Sequence, residues 1–101
     1  MTYRNKNLLQ WAKRCPYCMR CHRGNTGTIV AAHSNQLRDG KGRGVKAPDF
    51  MVAYLCNDCH MEIDQGKDMT KAERFEAWDD AWRRTVAWLF NQGVLKVEVC
   101  R

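Results

Sequence analysis

Apolar side chains return at helical spacing over the last third of the chain. Phe75, Trp78, Trp82, Thr85 and Leu89 share one stripe, and Trp88 widens it. The spacing predicts a helix from Thr70 to about Asn91. Thr70-Lys71-Ala72-Glu73 fits a capping box at its start, and Gly93 supplies a stop. Such an aromatic stripe can stack bases, but packing on a core is its ordinary use. Upstream, Leu8, Leu9, Trp11 and Ala12 among polar residues fit a short amphipathic helix or turn over residues 5–14, ended by Pro16. Thr28-Ile29-Val30-Ala31-Ala32 has β-branched strand character and leads to His33. A polar loop over residues 34–48 separates it from a second apolar run of strand length, Phe50 to Leu55. Asp58 to about Gln65 reads as a short helix ending near Gly66. Val94 to Val99 alternates with Lys96 and Glu98, the pattern of a small edge strand.

Short strands and helices in this order predict a single α+β domain over residues 1–101. Its cysteine- and histidine-bearing part covers 15–66, and the C-terminal helix and short strand cover 70–99. With 101 residues, 45% hydrophobic and including four tryptophans, the chain can build only a small core, which a metal cross-link would supplement. No segment reaches the roughly 20 apolar residues that span a bilayer, so no membrane partner is expected. The first ten residues lack a signal-peptide apolar run, which predicts a cytoplasmic protein. In that compartment, six cysteines are metal ligands and free thiols before they are disulfides.

Charge is uneven along the chain. Residues 1–47 carry ten Lys/Arg against one acid, Asp39, whereas residues 48–101 carry seven Lys/Arg against ten acids, for a net +6. A basic half is a footprint for a polyanion such as nucleic acid, or merely a solubilising surface.

The cysteines supply the strongest chemical signal. Cys18/Cys21 and Cys56/Cys59 are two Cys-x-x-Cys pairs separated by 34 residues. Each pair turns two sulfurs toward one ion, and two pairs complete the tetrahedron of a structural zinc. The first knuckle also offers Cys15/Cys18, and His22 is a further ligand candidate. Cys18 and Cys21 are preferred because Pro16 and Tyr17 stiffen the earlier pair. Cys15 and Cys100 are then free thiols. The second pair runs into His60 and Asp64, four residues apart and so on one side of a helix, a second ligand-capable pair. Glu62 points elsewhere on that helix, toward solvent.

The order of these parts resembles the HNH, or ββα-metal, nuclease motif in its zinc-stabilised form. It runs from a Cys-x-x-Cys knuckle through a strand ending in Ala-Ala-His33, a loop and a second strand to Leu-Cys-x-x-Cys-His60-x-x-x-Asp64. Ala-Ala-His-Ser-Asn-Gln, Lys-Ala-Pro-Asp and Cys-Asn-Asp-Cys-His-Met-Glu-Ile-Asp are more narrowly similar to the phage- and prophage-encoded YbcO-like nuclease family, over about residues 5–66. The resemblance implies a metal-dependent DNA endonuclease in a bacterial host cell. It makes His33 the general base, and His60 and Asp64 the ligands of a catalytic divalent ion, magnesium or manganese, with zinc also tolerated by that donor set. Three positions depart from the motif. Ala32 stands where a ligand is common, which leaves His33 open as base or ligand. The middle Asn has no clean match; Asp49 is nearest and Asn35 second, either to orient His33 or to reach the metal. Asp64 stands in place of the last His.

Arg38, Lys41, Arg43 and Lys46, interleaved with Gly40, Gly42 and Gly44, are the expected DNA contacts. Glycines permit close approach, and the cations neutralise phosphates without reading bases. A different class of function shares most of these features: a catalytically silent zinc-ribbon module that binds DNA or a replication or recombination protein.

Overall fold

In the computed structural model, which describes residues 2–98, two short antiparallel strands lie against a long helix. Strand β1 is Val30–His33 and strand β2 is Val52–Leu55, in the register Val30↔Leu55, Ala31↔Tyr54, Ala32↔Ala53 and His33↔Val52. Helix α1 (Lys6–Gln10) precedes them, with Asn5 capping its start through Oδ1, which accepts from the Leu8 amide. A 3-10 turn over Trp11–Arg14 follows α1 and ends before Pro16. Helices α2 (Asn57–Gln65) and α3 (Lys71–Asn91) complete a small α+β fold.

All four β2 side chains are buried, as befits a strand covered on both faces. Tyr54 turns its backbone amide and carbonyl away from β1, and both find partners. The amide donates to Thr85 Oγ1 (3.0 Å) and the carbonyl accepts from the Met19 amide (3.0 Å). Thr85 is fully buried and also donates to the Ala81 carbonyl at 2.8 Å. A position that reads as part of an apolar stripe thus closes an otherwise open sheet edge. Tyr54 Oη donates to the Leu8 carbonyl, fastening α1 to the sheet.

From Trp78 onward the stripe of α3 packs on the core as its spacing predicts: Trp78, Ala81, Thr85 and Leu89 are buried, with Trp82 and Trp88 packed at the edges. Phe75, expected in the same stripe, is half-buried and stands outside the core cluster. The capping box forms, Glu73 N to Thr70 Oγ1 at 3.1 Å and Thr70 N to Glu73 Oε1 at 2.8 Å. Trp78 and Trp82 each donate an indole N–H to a backbone carbonyl, Ala32 and Phe50 respectively, both at 3.0 Å. The helix is thereby keyed to β1 and to the turn that precedes β2.

Two expectations change. Residues 94–98 are not a strand, and Val99 lies outside the described residues, as does Cys100. Gly93 adopts a left-handed φ of 74°, and the Val94 and Leu95 amides both donate to the Leu89 carbonyl. The chain folds back, and Val94 and Leu95 pack on the core as the tail of the helix cap. Phe50 and Met51 likewise fall outside β2. Met51 N donates to the Pro48 carbonyl (2.8 Å), so Pro48 to Met51 is a turn, and Phe50 is half exposed.

Candidate functional site

Four sulfurs converge. The ligand atoms of Cys18, Cys21, Cys56 and Cys59 all lie within 4.8 Å of one another, and Cys21 Sγ is 3.8 Å from Cys56 Sγ. Sulfurs about 2.3 Å from a tetrahedral zinc stand about 3.8 Å apart, so the spacing fits the ion. The first pair is shaped by a small hairpin in which Tyr17 bridges Gly24 and Cys18 N donates to the Arg23 carbonyl (2.8 Å). His22 takes a left-handed φ of 65° to close this turn, and its ring lies beside Tyr17 rather than among the sulfurs. The second pair straddles the start of α2, with Cys56 at the N-cap. Cys15 is buried nearby but donates its thiol to the Tyr17 carbonyl and stands outside the cluster.

The electrostatics suit a cation. Burial pushes the Cys56 and Cys59 thiols up. Burial also opposes ionisation of Cys18, but the backbone amides around Cys21, Cys56 and Arg20 outweigh it and bring this thiol down to about 7. Cys18 is ready to ionise while Cys56 and Cys59 resist, a mismatch that a divalent ion would relieve. Arg20 lies against this wall, its amide 3.4 Å from Cys18 Sγ and its guanidinium on Glu62 at 2.9 Å. Glu62, expected to face solvent alone, is thus an ion-pair partner.

His33 ends β1, and Asp49 begins the Pro48–Met51 turn opposite it. His33 Nε2 and Asp49 Oδ1 are 2.8 Å apart, with the Asp49 side chain 4% exposed. Two further groups hold the same carboxylate: Arg4 Nη1 on Oδ1 at 3.0 Å and the Asn5 amide on Oδ2 at 2.7 Å. Burial alone would raise the Asp49 pKa; the His33 bond, then the Asn5 amide and Arg4, outweigh it and hold the carboxyl below the usual range. Arg4 also donates to the Ala47 and Lys46 carbonyls, and Asp49 N donates to the Tyr3 carbonyl. The N-terminal segment is therefore strapped across the turn that carries Asp49. No local signal marks Arg4, which is 45 residues from its partner.

His60 and Asp64 share one side of α2, with His60 Nε2 3.0 Å from Asp64 Oδ2. Asn35 donates from Nδ2 to Asp64 Oδ1 at 2.8 Å. Asn35 thus engages the carboxylate of α2, while Asp49 is the residue that meets His33. Among the described residues, the four cysteines are the one group of three or more His, Cys, Asp or Glu whose ligand atoms converge; the two His–Asp couples remain pairs.

The glycine loop is built rather than open. Gly42 and Val45 exchange backbone hydrogen bonds (3.0 and 3.1 Å), which puts Arg43-Gly44 at a two-residue hairpin tip, with Gly44 at φ 66°. Arg43 and Lys46 are exposed and Lys41 is half-buried, and none has a carboxylate within 4.0 Å among the described residues. Arg38 differs, because it is paired with Asp79 of α3. Four of the ten cations of the basic half are answered in space: Arg4, Arg20, Arg23 and Arg38 meet Asp49, Glu62, Asp58 and Asp79.

No protein-family model, curated protein or solved structure matches the chain. What is established is a small α+β domain whose four clustered cysteines could hold a structural metal such as zinc. No helix is long and apolar enough to cross a membrane.

Proposed function

We propose that the chain is a metal-dependent DNA endonuclease of HNH type, phage- or prophage-encoded and working in the bacterial cytoplasm. The observation that carries this reading is the Asn35–Asp64 hydrogen bond at 2.8 Å. Asn35 is two residues past His33, a backbone reach of at most about 7 Å. Asn35 thus links the segment that follows His33 to the helix that carries His60 and Asp64, which supports reading the two His–Asp pairs as parts of one site.

In this reading each protein group has a defined task. An ionised Asp49 only accepts hydrogen bonds, so the proton between it and His33 belongs to His33 Nε2. That leaves Nδ1 as the nitrogen that can take a proton from water, with Asp49 steadying the ring. His60 and Asp64 offer an imidazole nitrogen and a carboxylate oxygen, with Asn35 setting the carboxylate's orientation. A divalent ion there, magnesium or manganese, would neutralise charge on the scissile phosphate. Arg43 and Lys46 would meet neighbouring phosphates. The test is cleavage of several DNA forms with magnesium or manganese, wild type beside His33→Ala and His60→Ala. Both substitutions should abolish cleavage while leaving the zinc content intact. His60→Ala should also keep the melting temperature, whereas His33→Ala strips a hydrogen bond from the buried Asp49 carboxylate and should lower it, so cleavage is assayed well below that temperature. Unchanged activity in His33→Ala removes its assigned role.

One observation favours a second reading, a catalytically silent zinc-ribbon module. The cage is the sole converging ligand group among the described residues, and each His–Asp couple is already satisfied internally. A metal titration separates the two. One tight zinc with no weaker divalent site supports the module; a second site lost in His60→Ala supports the enzyme.

A further inference from the structure

Beside Asp64 the surface is grooved. One hollow of about 350 Å³ is lined by Asp64, Ile63, Arg74, Asn35, Lys71 and Phe75. A second, of about 500 Å³, continues from the last three residues to Leu37 and Ala72, with Glu76 and Asp79 also on its wall. Asn35, Lys71 and Phe75 line both, so the two form one trough along the first turns of α3, starting at the His60–Asp64 pair. The combined size is in the range of small-ligand clefts.

The outer rim is preorganised. Leu37 sits on a short 3-10 turn, Leu37–Asp39, with 80% of its surface exposed. The flanking residues are pinned to α3: Gln36 Nε2 donates to Asp79 Oδ1 (2.8 Å) and Arg38 pairs with Asp79 Oδ2. Ser34 Oγ donates to Asp39 Oδ2 at 2.6 Å, closing the turn from within. These hydrogen-bonded side chains hold up a leucine that itself buries little. Across the trough lies Phe75, half-buried and separate from the main core cluster, with Lys71 Nζ 5.5 Å from its ring centroid. Lys71 has no carboxylate within 4.0 Å among the described residues. Arg74 is turned onto the end of α2, its Nη1 donating to the Ile63 and Asp64 carbonyls (3.4 and 3.1 Å) and its Nε buried without a partner.

We propose that this trough is a subsite for an unpaired nucleotide, so that the substrate enters as a single strand or as a strand opened from its duplex. The inference rests on the nuclease reading for the position of the reacting phosphate at His60 and Asp64. An aliphatic rim facing an aromatic ring gives a slot for a flat base, and stacking of this kind tolerates any sequence. Lys71, which meets no carboxylate among the described residues, answers the phosphodiester that must follow the base, while Arg38 is held by Asp79 and Arg74 by the end of α2. A base within a duplex is stacked and paired, and reaches such a slot only after leaving the helix.

The experiment measures binding of a short labelled single strand, and of the duplex of the same sequence, to the zinc-loaded full chain without added magnesium. The proteins are wild type, Leu37→Ala and Phe75→Ala. Leu37 is exposed, so its substitution leaves the fold intact and keeps the test decisive even if Phe75→Ala is destabilised. Wild type is expected to prefer the single strand. Leu37→Ala is expected to weaken that binding about tenfold while leaving duplex binding unchanged. Abasic positions in the strand should reproduce the loss in wild type without worsening it in the variant. Equal affinity of wild type and Leu37→Ala for the single strand, or a preference of wild type for duplex, overturns the proposal. The two readings fail separately. Groove-dependent single-strand binding with no cleavage in any divalent ion sinks the nuclease and keeps the subsite. Cleavage unaffected by Leu37→Ala sinks the subsite and keeps the nuclease.

Discussion

Replacing Asp49 with asparagine probes the fold and the candidate chemistry at once. The carboxylate accepts from His33 Nε2, Arg4 Nη1 and the Asn5 amide. Hydrogen bonds to a charged group are worth about 1.5–3 kcal/mol each. The substituted amide retains one acceptor oxygen, so part of the set survives and a net loss of about 2 kcal/mol is expected. For a chain of this size that lowers the melting temperature by about 8–16 °C. The pH dependence has a definite sign. The folded carboxyl has a depressed pKa, so its stabilisation is fully present above the unfolded value of about 3.9 and is lost as pH falls through the lower folded value. The gap between wild type and Asp49→Asn should thus be constant at neutral pH and narrow below about pH 4. Nitrogen chemical shifts of His33 give an independent readout: wild type carries its proton on Nε2, whereas the amide, able to donate, releases that constraint. Urea denaturation with the zinc kept bound measures the energy. A variant as stable as wild type at pH 7, with the same His33 tautomer, would refute the reasoning.

Three further outcomes follow from the geometry. Purified protein should contain one zinc per chain; Cys15→Ser should retain it and Cys59→Ser should lose it, by metal analysis, because only the second sulfur belongs to the cluster. Thr85→Val keeps the volume but leaves the Tyr54 amide unpaired in the core, a loss of about 1–3 kcal/mol in equilibrium unfolding. Arg43→Ala should reduce the salt dependence of DNA binding by about one unit of slope, while Arg38→Ala, whose guanidinium is engaged by Asp79, should change it less and instead loosen the Leu37 turn.

Features fixed by neighbours in sequence were legible from the chain alone. The capping box of Thr70 and Glu73, the amphipathic stripe of α3 and the paired Cys-x-x-Cys turns each lie within a few residues. The pairing of His33 with Asp49 was approachable only through the motif, since 16 residues and a turn intervene. Arg4 on Asp49 and Arg20 on Glu62 were invisible, because two long-range contacts leave no periodicity. The alternation after Val94 misled for a physical reason: apolar residues every second position suit a half-buried strand, and also a tail turned back by a left-handed glycine. The charge asymmetry is partly paired in space, since four arginines of the basic half meet carboxylates of the other half, while Lys41, Arg43 and Lys46 meet none among the described residues.

The four sulfurs come from the two ends of a 34-residue insert that contains both His33 and Asp49. An ion in that cage is therefore a clasp on a long loop, and closing such a loop is mainly an entropic cost that the metal–sulfur bonds offset. Were zinc required to close this loop, a newly made chain would stay open until it captured the ion, with the histidine and its aspartate still apart. Zinc supply, and not the rate of synthesis, would then govern when the protein first becomes competent, a delay that gives a cell time before the proposed DNA-cutting surface is assembled inside it.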